Sequence, residues 1–156
     1  MKNTTLSILE RLFSLQQKTA LITGATGGIG EALAVGFAQA GATVGVNSRS
    51  REKVETTCQA VAAAGGKAVP LPADITTVDA SRQLMADAHA ALGRIDILVN
   101  CAGMNRRKPV VAVTEEDWET IVAVNLRSAY FLCQAVHPIM QAQGGGKIIN
   151  IGSMNT

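Results

Sequence analysis

Short apolar runs alternate along the chain with stretches in which apolar residues recur every three or four positions. The runs are rich in Val, Ile and Leu, as buried β-strands are. They predict strands over residues 18–23, 42–47, 67–71, 95–99 and 147–151. The stretches between them predict helices over residues 28–40, 51–64, 77–92 and 114–142.

Regular alternation of strands and helices predicts a parallel sheet with right-handed crossovers and helices on both faces. Pro70 lies inside the third run, and because proline cannot donate to a sheet ladder, we expect that strand at an edge. The pattern therefore predicts a Rossmann-like, doubly wound α/β fold with strand order 3-2-1-4-5.

Residues 1–17 precede the first strand and are interpreted as a leader. Two apolar sets recur there at helical spacing: Leu6, Leu9 and Phe13, and Ile8, Leu12 and Leu15. They predict a short amphipathic helix that docks on the body of the domain. A membrane-surface helix is the alternative, and only Lys2 and Arg11 could supply its basic face.

The composition is that of one ordinary globular domain, with 156 residues, 47% hydrophobic and 17% charged. The net charge of +2 gives no reason to expect a nucleic-acid partner, and no apolar run approaches the roughly 20 residues that span a membrane. Three scattered cysteines without a CxxC spacing favour a reducing compartment and give no metal site. A cytoplasmic location is the expectation.

The first strand leads into a glycine-rich turn, Thr23-Gly24-Ala25-Thr26-Gly27-Gly28-Ile29-Gly30, which opens a helix of small residues. Backbone N–H groups at a helix start lack intrahelical partners and attract anions, and glycines allow the ligand to come close. The turn predicts a pyrophosphate site, and residues 18–156 are interpreted as a dinucleotide-binding domain. Glycines retained for packing alone are the alternative reading.

The spacing Gly24-xxx-Gly28-x-Gly30, together with Thr23, resembles the short-chain dehydrogenase/reductase family rather than the usual G-x-G-x-x-G fingerprint. Further matches to that family follow in order: Ala73-Asp74-Ile75, Asn100-Cys101-Ala102-Gly103, Val124-Asn125-Leu126 and Ile149-Asn150-Ile151-Gly152-Ser153. Cys101 departs from the family pattern, which has asparagine there, and is interpreted as a small packing residue.

The resemblance implies hydride transfer between a nicotinamide cofactor and a secondary alcohol or ketone. It implies cofactor contacts from Thr23, Gly24, Thr26, Gly28, Ile29, Gly30, Asp74, Ile75, Asn100, Ala102 and Gly103. It implies that Ser153 hydrogen-bonds the substrate oxygen and that Asn125 holds a water in a proton relay. Without the resemblance, Ser153 would be interpreted as a loop serine and Asn125 as a polar residue on a helix.

The cofactor choice depends on the end of the second strand. Ser48 occupies the place where NAD-dependent members of the family carry an Asp for the ribose, and Arg49 could pair with a 2′-phosphate. The pair favours NADP over NAD. Arg49 as a solvated residue at a helix start is the alternative, and the glycine turn lacks the extra basic residue of many NADP-dependent members.

The general acid/base of the family is a Tyr followed four residues later by a Lys, beyond the serine strand. The only tyrosine in the sequence, Tyr130, lies in the middle of the last predicted helix. The residue four positions after it is Gln134, not a lysine. The resemblance therefore implies the N-terminal portion of an enzyme, with its sheet truncated after the fifth strand. A dinucleotide-binding chain without catalysis is one alternative function.

Three stretches resemble the branch of gluconate 5-dehydrogenase and 2-deoxygluconate 3-dehydrogenase: Arg106-Arg107, Glu116-Asp117-Trp118 and residues 146–154. An arginine in that loop could bind the carboxylate of a sugar acid, and solvated loop charges are the alternative. A 3-oxoacyl-thioester reductase is the other enzyme reading. The resemblance also implies a small-molecule substrate and a homo-oligomeric full-length protein.

Overall fold

An open sheet of five parallel strands runs through the computed structural model, which describes residues 12–153. The strands are β1 (Thr19–Thr23), β2 (Thr43–Ser48), β3 (Lys67–Pro72), β4 (Ile97–Asn100) and β5 (Lys147–Asn150). Their order across the sheet is β3-β2-β1-β4-β5. The predicted order is confirmed, as is the edge position of the strand that contains Pro70.

Five α-helices connect these strands within residues 12–153. They are α1 (Gly28–Gln39), α2 (Arg51–Ala63), α3 (Val78–Leu92), α4 (Glu115–Val122) and α5 (Ser128–Ala142). A π-helical segment, Ala123–Arg127, joins α4 to α5, where the sequence predicts one uninterrupted helix. Apolar spacing does not reveal it because a single widened turn barely changes the periodicity. The helix continues through Pro138 to Ala142.

A side chain caps the N-terminus of each of α2, α3 and α4. A glycine in the left-handed backbone conformation follows the C-terminal end of α1 and of α3. Ser50, Thr77 and Thr114 each accept a hydrogen bond from the backbone N–H three residues later. Gly41 and Gly93 turn the chain with φ of +106° and +75°, a conformation that glycine adopts without steric cost. The caps explain why the predicted helix starts agree closely with the observed ones.

Both faces of the sheet are buried, which fits strands without a polar side. Successive residues of β1 point in opposite directions: Ala20 and Ile22 pack in the cluster with α1 and α2, and Leu21 packs in the cluster with α3 and α5. Buried alanines on α1 let that helix lie close to β1. The result is a rigid carboxyl edge of the sheet, from which the loops of the site extend.

Residues 1–11 are outside the described part, so most of the predicted leader helix cannot be compared. Among its other members, Leu12 and Phe13 are 69% and 70% exposed, whereas Leu15 packs against the cluster beside α1. Within residues 12–153, no helix has the length and apolar character needed to cross a membrane.

Candidate functional site

A cleft of about 560 Å³ opens at the carboxyl edge of the sheet, where β1, β2 and β4 end. The chain leaves β1 toward β2 and later crosses to β4 on the other side, so the cleft lies at the switch point where ligands bind in open α/β sheets. Of the predicted cofactor residues, its lining includes Gly24, Thr26, Gly28, Ile29, Gly30, Ser48, Arg49, Asp74, Ile75, Ala102 and Gly103.

The glycine turn forms one wall of the cleft, and its glycines differ in what surrounds them. Gly24 has φ of +63°, and a Cβ there would lie 2.6 Å from the Cα of Ala102. A Cβ on Gly30 would collide with the carbonyl oxygen of Gly24. A Cβ on Gly28 would meet nothing within 4 Å, because this residue borders the open cleft.

The start of α1 borders the cleft and has a glycine cap. This N-cap, Gly27, offers no side-chain hydrogen bond, in contrast to Ser50, Thr77 and Thr114 before the next three helices. The first intrahelical bond is donated by Glu31 to Gly27. The earlier N–H groups therefore have the capacity to bind an anion, with the helix dipole in support.

Thr23 supports the cleft from behind and does not line it. The side chain is buried, and its hydroxyl oxygen accepts hydrogen bonds from the N–H groups of Cys101 and Ala102 at 3.2 and 3.3 Å. The hydroxyl donates to the carbonyl oxygen of Val99 at 3.4 Å. The side chain of Thr23 thus holds the segment after β4 in place, and the predicted cofactor contact from Thr23 stays a prediction.

Asn100, another predicted cofactor residue, is also not among the residues that line the cleft. It is 6% exposed at the end of β4, and its amide donates to the side-chain oxygen of Asn150 at 2.8 Å. This bond ties β4 to β5, after which the chain reaches the cleft at Ile151. Ser153 is exposed beyond β5, and it is not among the residues that line the cleft.

Ser48, Arg49 and Asp74 all line the cleft, and the charge of Arg49 acts on Asp74. Asp74 accepts a hydrogen bond from the N–H of Thr76 at 2.8 Å. Burial disfavours its charged form, but hydrogen bonds from Thr76 and the charge of Arg49 outweigh burial and hold the pKa of Asp74 below its usual value. Asp74 is therefore ionised near neutral pH, and Arg49 is exposed beside it.

Asn47 was not singled out from the sequence, yet it lines the cleft and is 1% exposed. Its amide group donates to the carbonyl oxygens of Leu71 and Ala73 at 2.8 and 3.3 Å. The signal in the sequence that could have indicated Asn47 is its position as a polar residue at the end of an otherwise apolar strand. Its significance depends on which carbonyls β3 brings near it, and that follows only from the sheet order.

Asn125 projects from the π-helical segment onto the loop after β4. Its side-chain oxygen accepts from the N–H of Met104 and its amide donates to the carbonyl oxygen of the same residue, both at 2.8 Å. The side chain thus forms with Met104 the same pair of main-chain hydrogen bonds that a neighbouring strand would form. It fixes Met104, which lines the cleft. The predicted catalytic residue is in contact with the site through the main chain.

The buried carboxylate of Asp117 holds the same loop farther along. It is 2% exposed, and it pairs with Arg106 at 2.9 Å and also with Lys108. Hydrogen bonds from Lys108, Arg106 and Thr114 hold the pKa of Asp117 far below its usual range. The predicted substrate residue Arg106 is therefore engaged in a structural ion pair and is not among the residues that line the cleft.

Arg107 lies between these two anchored residues and is exposed. It forms no ion pair with any residue in the range 12–153. The two neighbouring arginines, which were predicted together as substrate residues, therefore differ. Arg106 anchors the loop through its ion pair, and the exposed charge of Arg107 is available to an anionic ligand.

We expect Asp117→Asn to lower the melting temperature at neutral pH and to have a smaller effect in acid. Because the folded state holds the pKa of Asp117 below the unfolded value of about 3.9, the ionised carboxylate stabilises the fold above that pH. This stabilisation is lost as the pH falls from about 4 toward the folded pKa. Thermal melts of both proteins from about pH 3 to pH 7 measure the difference.

Glu116→Gln is the control, since Glu116 is 84% exposed and 3.8 Å from the same arginine. Exposed ion pairs contribute little, so this change should leave the melting temperature nearly constant. A difference between wild type and Asp117→Asn that does not change with pH would contradict the anchoring role of the charge.

The strand order and the helices on both faces of the sheet define a Rossmann-like fold, with the cleft at its switch point. The profile of the short-chain dehydrogenase family matches residues 18–156. The chain belongs to the short-chain dehydrogenase family.

Similar proteins include sugar-acid dehydrogenases. The chain is 44% identical over 144 residues to 2-dehydro-3-deoxy-D-gluconate 5-dehydrogenase of Escherichia coli, a match that covers 91% of this chain and 56% of the relative. A solved gluconate 5-dehydrogenase of Burkholderia cenocepacia, in complex with NADP and tartrate, matches with 41% identity and a TM-score of 0.86, over 94% of this chain and 57% of the other.

A solved 7α-hydroxysteroid dehydrogenase in complex with NADH matches with 36% identity and a TM-score of 0.88, over 96% of this chain and 58% of the other. Structural neighbours within the family thus hold NADP or NADH. The chain spans between 56% and 58% of the length of these three relatives.

Proposed function

We propose that the cleft binds NADP, with NAD as the weaker ligand, and that the whole protein is an oxidoreductase acting on a secondary alcohol or ketone of a sugar acid. The observation that carries the proposal is the composition of the cleft. A single space is bordered by the start of α1, whose N-cap Gly27 has no side chain, and by Ser48 and Arg49.

The residues fit a dinucleotide in two respects. The pyrophosphate would be held by N–H groups at the start of α1, where the absence of a Cβ on Gly28 leaves room beside the helix. The adenosine would lie toward Asp74 and Ile75, and Arg49 would pair with a 2′-phosphate. No acidic residue follows β2 to repel that phosphate, because positions 48 and 49 are Ser and Arg.

The bound nicotinamide ring would supply or accept the hydride. Ser153 is proposed to donate a hydrogen bond to the substrate oxygen, where negative charge develops. Asn125 is proposed to hold a relay water with the second lone pair of its side-chain oxygen, since the first accepts from Met104. Arg107 is proposed to receive the carboxylate of the sugar acid, because its charge is exposed and unpaired among residues 12–153.

The test is a titration of the chain with NADPH and NADH, followed by turnover assays of the whole protein with gluconate and NADP⁺ and with an acetoacetyl thioester and NADPH. We expect NADPH to bind more tightly than NADH. Absence of binding by both dinucleotides would overturn the proposal, and turnover restricted to the thioester would replace the sugar acid by an acyl substrate. Binding without turnover of either substrate favours the alternative of a dinucleotide-binding chain without catalysis.

A further inference from the structure

Asn47 connects three segments that border the cleft. Its side-chain amide donates to the carbonyl oxygens of Leu71 and Ala73, at the end of β3 and just beyond it. Its own carbonyl oxygen accepts from the N–H of Ala25, in the glycine turn, at 3.0 Å. The next residue, Ser48, accepts from the N–H of Ala73 at 3.1 Å. One buried residue thus joins the glycine turn to the segment after β3.

We propose that Asn47 is a positioning residue for the dinucleotide, which sets the adenosine end of the cleft at a fixed distance from the phosphate end. The inference rests on the proposed function, since it names a residue that acts on the same ligand. Asn47 acts through the segments that it ties together and requires no contact with the cofactor.

The chemistry of the asparagine amide explains why this residue type fits the position. Two carbonyl oxygens, of Leu71 and Ala73, converge on one side-chain nitrogen, and only a group with two N–H donors satisfies both. An aspartate would direct a carboxylate at two carbonyl oxygens. An alanine would remove the donors from a residue that is 1% exposed and leave the segment after β3 without its side-chain tie to β2.

The geometry also explains why the adenosine end needs support. β3 is the edge strand, so only β2 pairs with it along the sheet. Pro72 ends the strand, and Ala73, Asp74 and Ile75 follow as part of the cleft wall. Ala73 is held to β2 by the main-chain bond from its N–H to Ser48, and the side chain of Asn47 adds a second bond, to the carbonyl oxygen of Ala73, at the point where the ladder ends.

The experiment compares dissociation constants for NADPH and for adenosine 2′-monophosphate in Asn47→Asp, Asn47→Ala and wild type, well below each melting temperature. We expect Asn47→Asp to weaken both ligands by about tenfold or more, because a carboxylate facing two carbonyl oxygens would displace the segment after β3 that borders the cleft. Asn47→Ala should weaken both to a smaller extent. Because the monophosphate occupies only the adenosine end, its loss of affinity locates the effect there.

Val61→Ala is the stability control. Val61 is fully buried on α2 in the cluster on that face of the sheet and does not line the cleft, so its truncation should lower the melting temperature and leave both constants unchanged. If the Asn47 variants bind within twofold of wild type, or if Val61→Ala weakens binding equally, the positioning role is wrong. Failure of wild type to bind NADPH would instead overturn the proposed function.

A measurement on wild type keeps the inference testable if the Asn47 variants do not fold. Adenosine 2′-monophosphate should slow hydrogen exchange of the Ala25 N–H, which is bonded to Asn47, as well as that of the Ala73 N–H. Slowing at Ala73 without any change at Ala25 would show that the two ends are not coupled and would overturn the proposal.

Discussion

Gly28→Val is expected to abolish measurable NADPH binding while leaving the melting temperature close to that of wild type. A Cβ on Gly28 meets no atom of the folded protein within 4 Å, so the fold accommodates the side chain. The branched side chain then occupies space bordering the cleft, at the helix start where the pyrophosphate is proposed to bind. Loss of hydrogen bonds to a charged phosphate, at about 1.5–3 kcal/mol each, corresponds to a loss of affinity of about 100-fold or more.

Gly36→Val is the matched control for this variant. Gly36 lies on the same helix and is exposed, and a Cβ added to it would also meet no atom within 4 Å, but it does not line the cleft. Isothermal titration of both variants should show binding lost in the first and retained in the second. Equal affinity for NADPH in Gly28→Val and wild type would refute the placement of the pyrophosphate.

Ser48→Asp is expected to reverse the preference for NADP over NAD, with a change of about 100-fold in the ratio of dissociation constants. The new carboxylate would accept a hydrogen bond from the ribose 2′-hydroxyl of NAD and would repel the 2′-phosphate of NADP. Opposed like charges cost several kcal/mol where they are partly desolvated, and Ser48 is half-buried at the cleft wall.

The control is Ser48→Asn, which has nearly the same shape as the aspartate and no charge. It should change the ratio of dissociation constants only slightly, because the carbonyl oxygen of Ser48 that accepts from Ala73 belongs to the main chain and is retained. Fluorescence titrations with NADPH and NADH measure both variants. An unchanged ratio in Ser48→Asp would contradict the assignment of this end of the cleft to the adenosine ribose.

The order of elements and the topology could be predicted because each depends on local signals that agree. Apolar runs indicated the strands, apolar residues recurring every three or four positions indicated the helices, and Pro70 placed β3 at the edge. The π-helical segment could not be predicted, since it depends on how the chain after α4 packs and not on which residues it contains. The bounds of the strands were accurate to two residues, which is where strand pairing begins and ends.

The motifs include residues that line the cleft, such as Gly28, and residues that support it from behind, and the sequence alone does not separate the two groups. Thr23 and Asn100 belong to recognisable motifs, but both are buried behind the wall because their side chains bond to neighbouring strands. The different roles of Arg106 and Arg107 depend on Asp117, which is distant enough along the chain that only the fold brings it to the loop. Asn47 was missed for the same reason.

The π-helical segment changes the angular relation between the two residues that anchor the loop after β4. In a regular α-helix, Asp117 and Asn125 would lie about 80° apart around the axis. The wider turn at Ala123–Arg127 winds more slowly and brings the two side chains closer to one side, where both reach the loop. Removal of one residue between them, such as Val124, would leave the two anchors seven positions apart, about 20° around a regular helix. Both side chains would then still face the loop, so the wider turn is what allows the chain to carry one extra residue there without losing either anchor.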